Sequence, residues 1–148
     1  MEIKTILVPG CAQCATPGSK KKVLQLISEL AAEQAPALSQ EDVFEALLAR
    51  EKMGSTGIGN GIAIPHGKLE NIDKPIAVLV KCETPIPFDA IDNQPVDLLF
   101  ALFVPNDDAK LHLKTLSQMA ATLADKRICK QLRRSHTDKE LYEAVCEQ

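Results

Sequence analysis

No stretch of this 148-residue sequence approaches the roughly 20 consecutive apolar residues of a membrane-spanning helix. The N-terminus, MEIKTILVPG, also lacks a charged region followed by an apolar one long enough for a secretory leader. Direct membrane insertion is not expected, and the chain reads as cytoplasmic. Basic charge is not in excess. Seventeen Lys and Arg stand against 20 Asp and Glu, for a net charge of −3, which leaves no basic footprint of the kind nucleic-acid binders carry. Cysteine is present only as Cys11, Cys14, Cys82, Cys129 and Cys146, an odd number without a repeated framework, as expected where thiols stay reduced. Cys11 and Cys14 form a C-x-x-C spacing. A zinc site needs a second such pair and none exists; a redox pair needs to open a helix, whereas Pro17 and Gly18 point to a loop. Neither a metal nor a cofactor is expected.

Glycine is scarce but concentrated: five of the seven fall within the fourteen positions 54–67, GSTGIGNGIAIPHG. Such clustering means tight turns or close approach of backbone to something else. The spacing excludes two familiar phosphate loops. A P-loop ends in Gly-Lys-Ser/Thr, but Gly61 is followed by Ile62 and Ala63. A dinucleotide fingerprint opens a helix, whereas Gly57, Gly59 and Gly61 lead into a strand-like run, Ile62 to Ile64, stopped by Pro65. His66 is thereby expected just past a strand end. A histidine beside free backbone N–H groups suggests a covalently held phosphate, because neutral imidazole is nucleophilic near pH 7. Taken without further context, the residue is equally well a structural histidine.

The remaining chain reads as one layered α/β domain over 1–148, with 1–18 a packed segment and loop to which no role is assigned. Ser19 caps a helix carrying Val23, Leu24, Ile27 and Leu30; Lys20, Lys21 and Lys22 sit in its first turn, where the dipole disfavours cations, and read as a solvated face. Ser39 to Asp42 starts a second helix, which delivers Arg50 to the glycine loop. Ile76–Val80 is a central strand and Val96–Val104 another, with Pro85 and Pro87 bracketing an irregular connection and Phe88 and Ile91 docking inward. Asn106, Asp107 and Asp108 offer N-caps for a helix whose buried stripe runs through Leu113, Leu116, Met119 and Leu123, with His112 on its flank. Asp125 and the box Thr137 to Glu140 start two more helices. His136 reads as solvated.

The run from Arg50 to Gly67, REKMGSTGIGNGIAIPHG, closely resembles the active-site signature of the fructose/mannitol-type enzyme IIA domains of the bacterial phosphotransferase system, and within them the nitrogen-related, regulatory branch. Phe88 to Asp92, Val96 to Leu102, and His112 with Leu113 are similar to later blocks of that family, and the resemblance spans about residues 19 to 146. It implies a mixed β-sheet with helices on both faces. It also implies that His66 accepts a phosphoryl group from an HPr-like phosphohistidine donor, helped by Arg50 and His112. Ser55, Thr56, Gly59, Asn60 and Gly61 are candidates for a phosphate-binding loop, although turn formation explains Ser55, Thr56 and Asn60 as well. The expected partners are regulatory target proteins. A sugar-permease role, passing phosphate to a IIB protein, is the alternative. Met53 and Ile58 form a candidate apolar rim for donor docking. No His-x-x-x-His spacing supports a metal hydrolase built on His66 and His112.

Overall fold

Two long apolar runs set the centre of the molecule. In the computed structural model, which describes residues 3–107 and 109–146, they become strands β5 (Ile76–Ile86) and β6 (Val96–Pro105), paired antiparallel from Ile76 opposite Phe103 to Ile86 opposite Val96. Both are buried on alternating and non-alternating positions alike, which a strand tolerates only when both faces of its sheet are covered. Around them stand β1 (Ala12–Ala15), parallel to β5, and β3 (Ile62–Ala63) and β4 (His66–Leu69), both parallel to β6. A short β2 (Gly57–Gly59) pairs antiparallel with β3 at the edge. The sheet is therefore mixed.

Helices cover both faces. Helices α2 (Lys20–Ala32) and α3 (Gln40–Lys52) pack together against β5 and β4. A second group, α1 (Ile3–Ile6), α4 (Ala109–Ala124), α5 (Lys126–Arg134) and α6 (Asp138–Cys146), packs on itself and against β1, β5 and β6. The expected caps form: Ser19 Oγ accepts from Lys22 N at 3.2 Å, Ser39 Oγ from Asp42 N at 3.0 Å, and Thr137 Oγ1 from Glu140 N at 3.1 Å. Among the described residues no helix is long and apolar enough to cross a membrane.

Several expectations are corrected. The N-terminal segment contributes α1, a 3-10 turn at Pro9–Cys11 and an edge strand, so Cys14 lies on β1 rather than in a loop. Strand β3 ends at Ala63, ahead of Pro65, but pairing with β6 does not end with it. Pro65 lacks an N–H, but its carbonyl accepts from Leu102 N at 3.0 Å, so pairing with β6 resumes and His66 opens β4. Strand β5 continues through Pro85, where the ladder register shifts. Phe88 is buried as expected, but Ile91 is 83% exposed. The preceding Asp89, at φ 55, turns the chain so that Ile91 donates its N–H to Gly57 O and faces outward. On α4, Leu113 is 67% exposed, and the buried face runs through Thr115, Met119 and Leu123. The proposed cap Asp108 lies outside the described residues.

At Gly57 the glycine requirement is one of space. A Cβ there would stand 2.7 Å from Ala90 Cβ and 2.9 Å from Ala90 Cα, whereas at Gly67 the nearest atom is 3.5 Å away. Gly57→Ala is therefore expected to destabilise the fold by about 1–3 kcal/mol through overpacking against backbone, and Gly67→Ala to cost less. Urea unfolding of the two variants checks the order, which a Gly57→Ala midpoint at or above that of Gly67→Ala would reverse.

Candidate active site

Three elements converge on His66. Its ring Nδ1 lies 2.8 Å from Ile64 O. A carbonyl only accepts, so Nδ1 carries the proton and Nε2 is left with the lone pair. Nε2 in turn lies 3.1 Å from Arg50 Nε, which donates to it, while Arg50 Nη1 donates to Gly54 O at 2.8 Å. Arg50 is in the last turn of α3, where a cation complements the helix dipole. His112, in the first turns of α4, brings its ring to 5.2 Å from that of His66, edge-on at 62°. His112 Nδ1 is buried and has no hydrogen-bond partner among the described residues.

Burial holds His66 below the usual histidine range. The Ile64 carbonyl and Glu51 pull it upward, and the charge of Arg50 adds to the lowering. His112 is lowered first by burial, then by His66, Lys68 and Arg50. Both shifts favour the neutral ring. The site joins a neutral nucleophile, a second neutral imidazole and a guanidinium, a set that can receive an anionic group at Nε2 and neutralise its oxygens.

Two residues missed in the sequence support this arrangement. Glu51, its side chain only 5% exposed, accepts from Thr56 N at 3.1 Å, from Thr56 Oγ1 and from Lys20 Nζ at 2.8 Å. Thr56 O accepts from Ile64 N at 3.0 Å, and Ile64 O holds His66. A continuous path therefore joins Lys20, Glu51, Thr56, Ile64 and the imidazole. Lys20 also donates to Phe88 O at 3.3 Å and lies 4.5 Å above the Phe88 ring, so it is not a solvated residue. Its place against the helix dipole was the available signal.

The phosphate-loop candidates are arranged differently from the expectation. Ser55 Oγ donates to Phe88 O at 2.9 Å, beyond the end of β5, and the Thr56 hydroxyl goes to Glu51, so both are engaged by the protein itself. Asn60 and Gly61, at φ 58 and 78, form the tight turn of the β2–β3 hairpin. There Asn60 N donates to Asp92 Oδ2 at 3.0 Å, Gly59 backs onto the same carboxylate, and Arg133 bridges Asn60 O and Asp97. Ile62 pairs with Leu98 and His66 with Leu102, so this turn stands about 13 Å or more along the sheet from the ring. Met53, 83% exposed, ends α3 beside Arg50. Ile58, 49% exposed, lines a groove next to α5 instead. His136 is exposed, as expected.

The family model described as "Phosphoenolpyruvate-dependent sugar phosphotransferase system, EIIA 2" matches residues 12–148. A nitrogen regulatory protein of Klebsiella oxytoca is 65% identical over 130 residues, 87% of this chain and 80% of its own. The crystal structure of nitrogen regulatory protein IIA-Ntr from Neisseria meningitidis superposes with a TM-score of 0.87 at 35% identity, covering 97% of this chain and 98% of that one. The mannitol IIA crystal structure from Escherichia coli shares the fold, with a TM-score of 0.73 at 20% identity over 98% of each chain.

In an NMR titration the His66 midpoint is expected below that of a free imidazole, near 6.5. Arg50→Gln removes a lowering charge and should move the midpoint up; Glu51→Gln removes a raising one and should move it down. The lone-pair form thus persists to lower pH in the wild type than in Arg50→Gln. Shifts of the same sign in both variants would contradict this electrostatic account.

Proposed function

The chain belongs to the EIIA type 2 family of the phosphoenolpyruvate-dependent sugar phosphotransferase system, and on that premise we propose that it is a phosphocarrier of the nitrogen-related system, charged on Nε2 of His66. The observation that carries this reading is the fixed tautomer: Nδ1–H tied to Ile64 O, and Nε2 unprotonated, accepting from Arg50. An HPr-like phosphohistidine is the donor. Its phosphorus–nitrogen bond breaks as the bond to Nε2 forms, and the electron pair returns to the donor's imidazole. Arg50, which covers the lone pair at rest, passes its N–H groups to the phosphoryl oxygens. The unpartnered His112 Nδ1 gives those oxygens a second neighbour. The Ile64 carbonyl keeps its hydrogen bond to Nδ1 and so stabilises the positive charge that develops on the ring. Catalysis of this kind is mainly positioning and charge neutralisation.

Once charged, the site gains close to two negative charges beside Met53, enough to change which proteins accept this face. Target proteins therefore read the phosphorylation state. The names of the relatives, nitrogen regulatory proteins, support this regulatory use. The exposed Met53 suits a transient encounter with the donor, which needs little buried area.

The test is a phosphoenolpyruvate-driven relay followed by mass spectrometry of the modified peptide. His66→Ala should take up no phosphoryl group while keeping its fold. Arg50→Ala and His112→Ala should still be labelled at His66, each about 10- to 1,000-fold more slowly. Label retained in His66→Ala, or wild-type time courses in both other variants, would overturn the assignment.

A further inference from the structure

A groove of about 730 Å³ separates the β2–β3 hairpin from α5. Its lining includes apolar Ile58, Ile62 and Leu123 and basic Lys126, Lys130 and Arg134. The chain carries a net charge of −3, yet the nine residues of α5, KRICKQLRR, hold five cations and no acid. Charge of one sign has been gathered on one helix. Its apolar residues Ile128, Cys129 and Leu132 are buried, so the cations are left at the surface.

The carboxylates around the groove are already engaged. Asp97 is held by Arg133, Asp92 by the N–H groups of Asn60 and Gln94, and Asp125 by Arg127. Lys126, Lys130 and Arg134 have no ion pair among the described residues. These three follow one another at four-residue intervals, which sets them about 6 Å apart in a row about 12 Å long. They do not converge on a point, as a cradle for one small anion would require. The turn offers no such cradle either, since Asn60 N–H is taken by Asp92 and the Arg133 fork by Asp97 and Asn60 O.

We propose that this groove docks an amphipathic helix of a partner protein, with an apolar stripe on the groove floor and Glu or Asp every third or fourth residue along the flank facing α5. A helix alongside another repeats its charges at the spacing of this row, as paired helices do across their flanking positions. The groove lies at the far end of the hairpin from His66, so this contact needs no phosphoryl group. It is a second surface and does not depend on the phosphocarrier reading.

The full chain, isotope-labelled, is titrated with a synthetic helical peptide bearing Leu along one stripe and Glu at every fourth flank position. Parallel titrations use the same peptide with Lys in place of Glu, and inorganic tripolyphosphate. The Glu peptide should move amide signals of α5 and the hairpin while leaving those of 64–67 in place. The double variant Lys126→Glu, Lys130→Glu should weaken binding about tenfold or more, as should raising the salt, with its remaining spectrum unchanged. Equal binding of the Lys peptide would overturn the proposal, as would no movement of α5 signals with the Glu peptide. Shifts centred on His66 would do so too, and tripolyphosphate acting where the Glu peptide does not would make the groove a small-anion pocket.

Discussion

The hydrogen bond from His66 Nδ1 to Ile64 O decides what the site can do. A histidine free to choose its tautomer offers either nitrogen to solvent. Here a backbone acceptor at 2.8 Å takes one and leaves the other as base. The acceptor is not itself mobile. Ile64 is buried, its N–H donates to Thr56 O, and on either side of it β3 and β4 are paired with β6. Pro65 between them removes one donor from the ladder and fixes its own φ, so two short strands follow one another on the same neighbour with a break just before His66. The chemistry of one side chain is thus set by the main chain of the sheet.

Charge around the ring is balanced in opposite directions. Burial and Arg50 keep the imidazole neutral, while the nearby carboxylate of Glu51 limits how far its affinity for a proton falls. A carboxylate as enclosed as Glu51 would be costly alone. It is tolerated because Lys20 and two donors of Thr56 satisfy it. The cation at the start of α2 therefore serves the far side of the loop rather than its own helix, which explains why it can stand in an unfavourable position along the dipole.

Much of this was legible in the sequence, for reasons that are local. Caps at Ser39 and Thr137 satisfy N–H groups within three residues, so they can be recognised without knowing what lies nearby. The runs 76–80 and 96–104 are apolar because both of their faces are covered, and that reads directly as central strands. His66, Arg50 and His112 belonged to a motif and do meet. What was not legible depended on distant partners. Asn60 and Gly61 read as loop residues for a ligand because Arg133 and Asp97, which hold them, come from other parts of the chain. Glu51 drew no separate reading, because its partner Lys20 comes from α2. Ile91 was placed inward on hydrophobicity and Leu113 on helical register, yet a left-handed residue before one and the rotation of α4 around the other turn them to water.

Both strands beside the reactive ring are parallel to β6, and parallel neighbours cannot be joined by a simple reversal. His66 is mounted opposite Leu102, and its companion imidazole arrives later still, on α4. The contacts of Arg50 and Ile64 with His66 lie within the glycine-rich signature itself, but the strand that braces them does not. The support of β3 and β4 by β6 and the approach of His112 both wait on residues of the last third of the chain, so the glycine-rich signature reaches its full arrangement only when the C-terminal elements are in place.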